Sequence, residues 1–150
     1  MYFFDTYAII EVTKGNESYK KFKDLRIITS VLNVGEMYQI TLRKKGKDEA
    51  DEWYKNSNYE LLEISSDIMI EAIYFRFINK RTNISLVDAV GYILSHKHNL
   101  KFLTGDNQFR DLPNVEFVKW LNHGKTFFWF EKWQNKNQPP ETATVKLYLN

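Results

Sequence analysis

The chain has 150 residues, 21 of them basic and 19 acidic for a net charge of +2, with 43% hydrophobic and 16% aromatic residues and no cysteine. That composition suits a single globular domain and excludes wholesale disorder, a disulfide framework, a thiolate nucleophile and a cysteine-type zinc site. No apolar run reaches the roughly 18 residues a bilayer span needs and no signal-like segment opens the chain, so a cytoplasmic setting without membrane is expected, and any phosphate-binding surface must be local.

Tyr2 to Phe4 reads as a short buried strand, followed by a helix from Tyr7 that runs past an interruption at Gly15-Asn16 toward Phe22. Arg26 to Thr29 is a second candidate strand. From Ser30, Leu32, Met37, Ile40 and Tyr38 recur at helical spacing through Leu42. In the charged stretch Arg43 to Glu52, Lys44/Asp48, Lys45/Glu49 and Lys47/Asp51 stand four apart, the spacing of an exposed helix held by weak pairs. Tyr59 to Ile64 reads as a third strand, Asp67 to Ile78 as a helix, and Ser85 opens another that continues through Leu94. Lys101 to Leu103 is a fourth strand ending in Thr-Gly-Asp, and Val115 to Val118 a fifth after the Leu112-Pro113-Asn114 turn. Strands alternating with helices imply a three-layer α/β/α sandwich around a mostly parallel five-stranded sheet.

The expected domain covers residues 1–120. Beyond it, residues 121–150 form an extension of unknown role, with the aromatic run Lys125 to Trp133 and a loose tail carrying Pro139-Pro140. So aromatic a segment is expected to pack on the domain, to join a dimer or to be a non-native extension.

Ligands of open parallel sheets bind outside the carboxyl ends of the strands, where the strand order reverses. Asp5 ends the first strand and Asp106 the fourth, so if those strands are neighbours the two carboxylates converge. Taken alone, each reads as a helix cap or an Asx-turn. Asn33-x-x-Glu36 and Ser85-x-x-Asp88 likewise match capping boxes, with the acid in the first turn of a helix. Capping and metal binding are compatible, because the positive end of a helix favours an ionised carboxylate.

The segments MYFFDTYAI, TSVLNVGEMYQI, ISLVDAVGYIL and KFLTGDNQF resemble, in type and order, the signature of PIN-domain proteins, especially VapC-type toxin ribonucleases, over roughly Met1 to Val118. Asp5-Thr6, Glu36, Asp88 and Thr104-Gly105-Asp106 match that pattern residue by residue. The match departs from it at Asn107-Gln108-Phe109, where relatives often carry charge before the aromatic residue, and in the tail.

Crowded carboxylates repel one another unless a cation neutralises them, and oxygen ligands without a His or Cys set select Mg²⁺, or Mn²⁺, over zinc. The expected mechanism is phosphodiester hydrolysis with Mg²⁺ held chiefly by Asp5 and Asp106, and with Glu36 and Asp88 as direct or water-mediated ligands. Thr6 and Thr104 would support the carboxylates or a phosphate through their hydroxyls, or simply stabilise turns. Backbone contact with a substrate falls to Lys14, Lys20, Lys21, Lys23 and Arg110, which also read as ordinary solvated side chains. His96 and His98, two apart near a helix end, cannot chelate one ion and suit the negative helix terminus instead.

The resemblance implies an RNA substrate cut endonucleolytically, a homodimer, and a small antitoxin protein that silences the site. Two rivals remain at this stage: a PIN-fold scaffold acting through partners in an RNA-processing assembly, and a phosphoacceptor receiver domain, which also places an Asp at a strand end.

Overall fold

The computed structural model of the chain describes residues 1–80 and 83–119. The expected extension 121–150 lies outside the described residues.

Five strands, β1 (Tyr2–Phe4), β2 (Ile28–Ser30), β3 (Glu60–Leu62), β4 (Lys101–Thr104) and β5 (Val115–Phe117), form one sheet in the order β3-β2-β1-β4-β5. Every pairing is parallel, so the sheet is wholly rather than mostly parallel among the described residues. The helices are α1 (Thr6–Thr13), α2 (Val31–Lys45), α3 (Lys47–Asn56), α4 (Ser66–Ile78) and α5 (Leu86–Lys97). A 3₁₀ turn at Glu17–Phe22 takes up the chain after the Gly15-Asn16 interruption.

Successive strand residues point to opposite faces, and two adjacent phenylalanines divide the core in this way. Phe3 pairs in register with Phe102 and packs with Val90, Leu94 and Tyr92 of α5 and Ala72 of α4. Phe4 pairs with Leu103 and packs with Ala8 and Ile9 of α1, Met37 of α2, and Tyr19 and Phe22. All of these except Tyr92 and Met37 are essentially inaccessible to solvent. Layers of helices therefore cover both faces, as a parallel sheet requires.

Strand order descends 3-2-1 and then jumps to 4-5, which puts the reversal between β1 and β4. The Asp5 N–H continues that pairing past the end of β1 by donating to the Leu103 carbonyl at 3.2 Å. A receiver domain has the order 2-1-3-4-5, with its reversal between the first and third strands, and this topology removes that rival.

The charged stretch is not one helix. Gly46, at φ 93°, separates α2 from α3 in a backbone region that L side chains avoid. The break falls between the members of Lys44/Asp48 and of Lys45/Glu49, whereas Lys47 and Asp51, both on α3, pair at 2.5 Å. Surface pairs of this kind contribute little.

Candidate active site

Asp5 is the N-cap of α1. The Ala8 N–H donates to its Oδ1 at 2.6 Å and the Thr104 hydroxyl to its Oδ2, and the residue is only 2% exposed. The cap reading thus holds for this carboxylate, which is also buried at the strand end. Thr104 also accepts from the Asp106 N–H at 3.0 Å, so one buried hydroxyl bridges the ends of β1 and β4. Asp106 caps a short 3₁₀ turn (Asn107–Phe109): the Gln108 N–H donates to its Oδ1 at 3.0 Å and the Gln108 side-chain amide to its Oδ2 at 3.3 Å.

Asp88 enters from α5. Ser85 caps that helix by accepting the Asp88 N–H at 3.1 Å and donates its hydroxyl to Asp88 Oδ2 at 2.6 Å, much as the capping-box pattern suggests. The Asn33-x-x-Glu36 box does not form. Because β2 runs straight into α2, the N-cap is Ser30, and Glu36 is the sixth helical residue, beyond the first turn. Its Oε2 accepts instead from the Thr6 hydroxyl at 2.6 Å.

The four acids share one field. Burial lifts Asp5 well above the usual carboxylate range, with repulsion from Asp88 and Asp106 added. Burial likewise raises Glu36 to about 7, helped by Asp88, and Asp88 to about 6, helped by Asp106. Asp106 is raised mainly by burial. The hydrogen bonds from Thr104, Thr6, Ser85 and Gln108 all pull the other way by favouring the charged forms. Arg76 of α4 offsets part of the charge on Asp88.

Such a set of oxygen donors suits a hard divalent cation. Among the described residues no three of His, Cys, Asp and Glu form a group able to hold a metal ion by themselves. An ion here would rest on one or two carboxylates and complete its shell with water, which is how Mg²⁺ is usually bound. Oε1 of Gln108, buried and without a hydrogen-bond partner among the described residues, adds a carbonyl oxygen on a residue bonded to Asp106. Neither Gln108 nor Asn33 was marked for the site by the sequence, where Asn107-Gln108-Phe109 read as a departure that leaves the core chemistry untouched.

Gly105, between Thr104 and Asp106, has a packing reason. A Cβ there would lie 2.2 Å from the Tyr7 ring, which fills that space.

Most of the residues suggested for backbone contact bond to other groups, and Arg110 is the C-cap of the turn that Asp106 opens. Lys14 pairs with buried Glu11 at 3.3 Å, Lys20 with Glu17 at 3.4 Å and Lys21 with Glu116 at 2.8 Å. Lys23 is exposed. Arg110 donates to Asn107 at 2.7 Å and lies over the Phe117 ring. His98 is the C-cap of α5 and His96 packs edge-on against Tyr92, in keeping with their reading at a helix end.

The family model for the PIN domain matches residues 2–115. No curated protein matches the chain. Among solved structures, a toxin–antitoxin complex from Klebsiella pneumoniae aligns at TM-score 0.63 and 18% identity, over 81% of this chain and 100% of that one. VapC20 of Mycobacterium tuberculosis, a sarcin-ricin-loop-cleaving toxin, aligns at 0.63 and 18%, over 79% and 99%. VapBC2 of Rickettsia felis, bound to a DNA fragment from its promoter, aligns at 0.62 and 18%, over 80% and 98%. At this identity the likeness carries the fold.

Proposed function

The chain belongs to the PIN-domain family, and from that premise we propose that it is a metal-dependent endoribonuclease, the toxin of a toxin–antitoxin pair. The observation that carries the reading is the Thr104 hydroxyl linking Asp5 to Asp106 across the reversal between β1 and β4, with Asp88 in electrostatic reach of both and Glu36 in reach of Asp88. Asp5 and Asp106 would hold Mg²⁺, or Mn²⁺, with Asp88 and Glu36 binding it directly or through water. A divalent ion so held supplies polarised water and charge stabilisation at a phosphate.

The protein's own groups prepare that chemistry. Thr104 and Thr6 fix one oxygen each of Asp5 and Glu36. Burial raises Glu36 to about 7 in the metal-free protein, and a bound cation would favour its charged form.

An antitoxin as partner and RNA as substrate are supported by the structural relatives, of which one is a toxin–antitoxin complex, one a sarcin-ricin-loop-cleaving toxin and one VapBC2 on promoter DNA. A groove of about 400 Å³ with Ile10, Met37, Ile40 and Trp53 among its lining supports a partner segment. It lies between α1, α2 and α3, the first two of which carry Thr6 and Glu36. A homodimer is supported by α4, whose Ile70, Tyr74 and Phe77 are 65%, 64% and 68% exposed along one side.

The alternative reading is a PIN scaffold that acts through partners without its own cleavage activity. One experiment separates the two: incubation of a labelled RNA pool with purified protein in Mg²⁺, Mn²⁺ or chelator, beside Asp5→Asn and Asp106→Asn. Cleavage that needs the metal and both acids supports the nuclease. Metal-independent cleavage, or full activity in both variants, sinks it, and a folded, metal-binding protein that cuts no RNA establishes the scaffold.

A further inference from the structure

Asn33 is the third residue of α2 and is fully buried, yet asparagine is a poor helix-interior residue and its amide is costly to bury unpaired. Its partners form a line. Ser30 Oγ donates to Asn33 Oδ1 at 2.7 Å, Asn33 Nδ2 donates to Thr6 Oγ1 at 3.0 Å, and Thr6 Oγ1 donates to Glu36 Oε2 at 2.6 Å.

This line has a direction. An amide NH₂ group can only donate, so the Thr6 oxygen facing it is an acceptor. A threonine hydroxyl has one proton, which is thereby committed to Glu36. Ser30 holds the amide this way round. As the N-cap of α2 it would ordinarily accept a backbone N–H, but it makes no side-chain cap bond and its hydroxyl serves Asn33. The helix gives up a cap so that a buried amide faces Thr6.

We propose that Asn33, oriented by Ser30, is a positioning residue for Glu36. It acts through Thr6, fixing the direction of the Thr6 hydroxyl so that Glu36 Oε2 is always the acceptor. The inference rests on the nuclease reading for its consequence in catalysis, while the hydrogen-bond line stands by itself.

The test is a four-protein cycle of wild type, Asn33→Asp, Thr6→Val and the double variant. An ionised aspartate has the shape of asparagine but only accepts, so at a pH high enough to keep it charged the Thr6 proton turns away from Glu36. Mn²⁺ affinity by electron paramagnetic resonance, kcat and KM on a labelled RNA, and melting midpoint are read for each. Each single variant lowers Mn²⁺ affinity and kcat by about 10- to 100-fold with KM little changed, and the double variant is no worse than Thr6→Val alone. A double variant showing the product of the two losses overturns the proposal, because Asn33 then acts independently of Thr6. Wild-type kcat and Mn²⁺ affinity in Asn33→Asp overturn it as well. If Asn33→Asp does not fold, Asn33→Leu enters the same cycle with the same criteria. If wild type neither binds Mn²⁺ nor cuts RNA, the nuclease reading fails instead, and the melting midpoints decide the coupling: non-additive changes uphold it and additive changes overturn it.

Discussion

The hydroxyl of Thr104, at the end of β4, donates to Oδ2 of Asp5, just past the end of β1, and accepts the N–H of Asp106. A single methyl-for-hydroxyl replacement, Thr104→Val, removes both bonds at nearly constant volume. It leaves a buried carboxylate oxygen and an amide without those partners, at a cost of about 1–3 kcal/mol. Cleavage should fall by about 10- to 100-fold, while Thr104→Ser retains most of both stability and activity. Chemical denaturation and RNA-cleavage rates check this. Equal behaviour of the valine and serine variants would show that the hydroxyl does not tie the two acids together.

The raised carboxylates set an unusual pH dependence for the metal-free protein. Asp88 and Glu36 bind their protons up to about pH 6 and 7 in the folded chain, against ordinary values of 3.8 and 4.5, and Asp5 and Asp106 shift in the same direction. Between those limits the folded state holds more protons than the unfolded state, so the stability contributed is complete below about pH 4 and is lost as pH rises through 6 and 7. In chelator the melting midpoint should therefore drop across that window, and Mg²⁺ at pH 8 should restore it by pairing with the ionised acids. Asp88→Asn should flatten the slope and raise the midpoint at pH 8 while abolishing cleavage. A wild-type midpoint that climbs from pH 4 to 8 in chelator, with or without the substitution, would count against the shared acidic field.

Gly105→Ala tests the packing behind the Thr-Gly-Asp motif. The added methyl meets the Tyr7 ring at 2.2 Å, and Tyr7 is buried with little room to retreat. Overpacking of this kind costs about 1–3 kcal/mol. Tyr7→Ala in the same chain opens the space, so the double variant should lose less than the sum of the single losses, measured by denaturant midpoint. Strict additivity would mean that the ring is not what excludes a side chain at position 105.

What the sequence could disclose follows the locality of each interaction. Asp5 and Asp106 were legible because a short apolar strand, an acid and the start of a helix or turn follow one another directly, and Ser85-x-x-Asp88 was legible because capping is a three-residue affair. That β1 lies beside β4 is a tertiary fact. Any approach of Asp5 to Asp106 is conditional on it, and the sheet order supplies that adjacency. Asn33 was misread because its capping-box spacing is local while its partner Thr6 is 27 residues away, and because nothing in the pattern shows α2 starting at the very end of β2. Gly46 was passed over for a related reason: i,i+4 charge spacing continues across it, but its backbone does not.

The outward side of α4 provides the last prediction. Ile70, Ile73, Tyr74 and Phe77 recur at three- and four-residue spacing and each is about half exposed or more, a continuous apolar stripe that an isolated domain leaves in water. The helix carries acidic Asp67 in its first turn, and basic Lys80 follows its last, so two copies packed antiparallel would oppose unlike charges at both ends. Phe77→Glu places a charge at the C-terminal end of that stripe, on its most exposed residue. It should convert a dimer into a monomer at micromolar concentration in sedimentation velocity, with the melting midpoint at high dilution unchanged because the side chain faces solvent in the single chain. Asp67→Lys should weaken association and Asp67→Lys with Lys80→Asp should recover it, since the pairing is only exchanged. A Phe77→Glu protein that sediments like wild type would remove α4 as the contact, and failure of the charge exchange to recover association would leave the stripe as the interface but exclude the antiparallel arrangement.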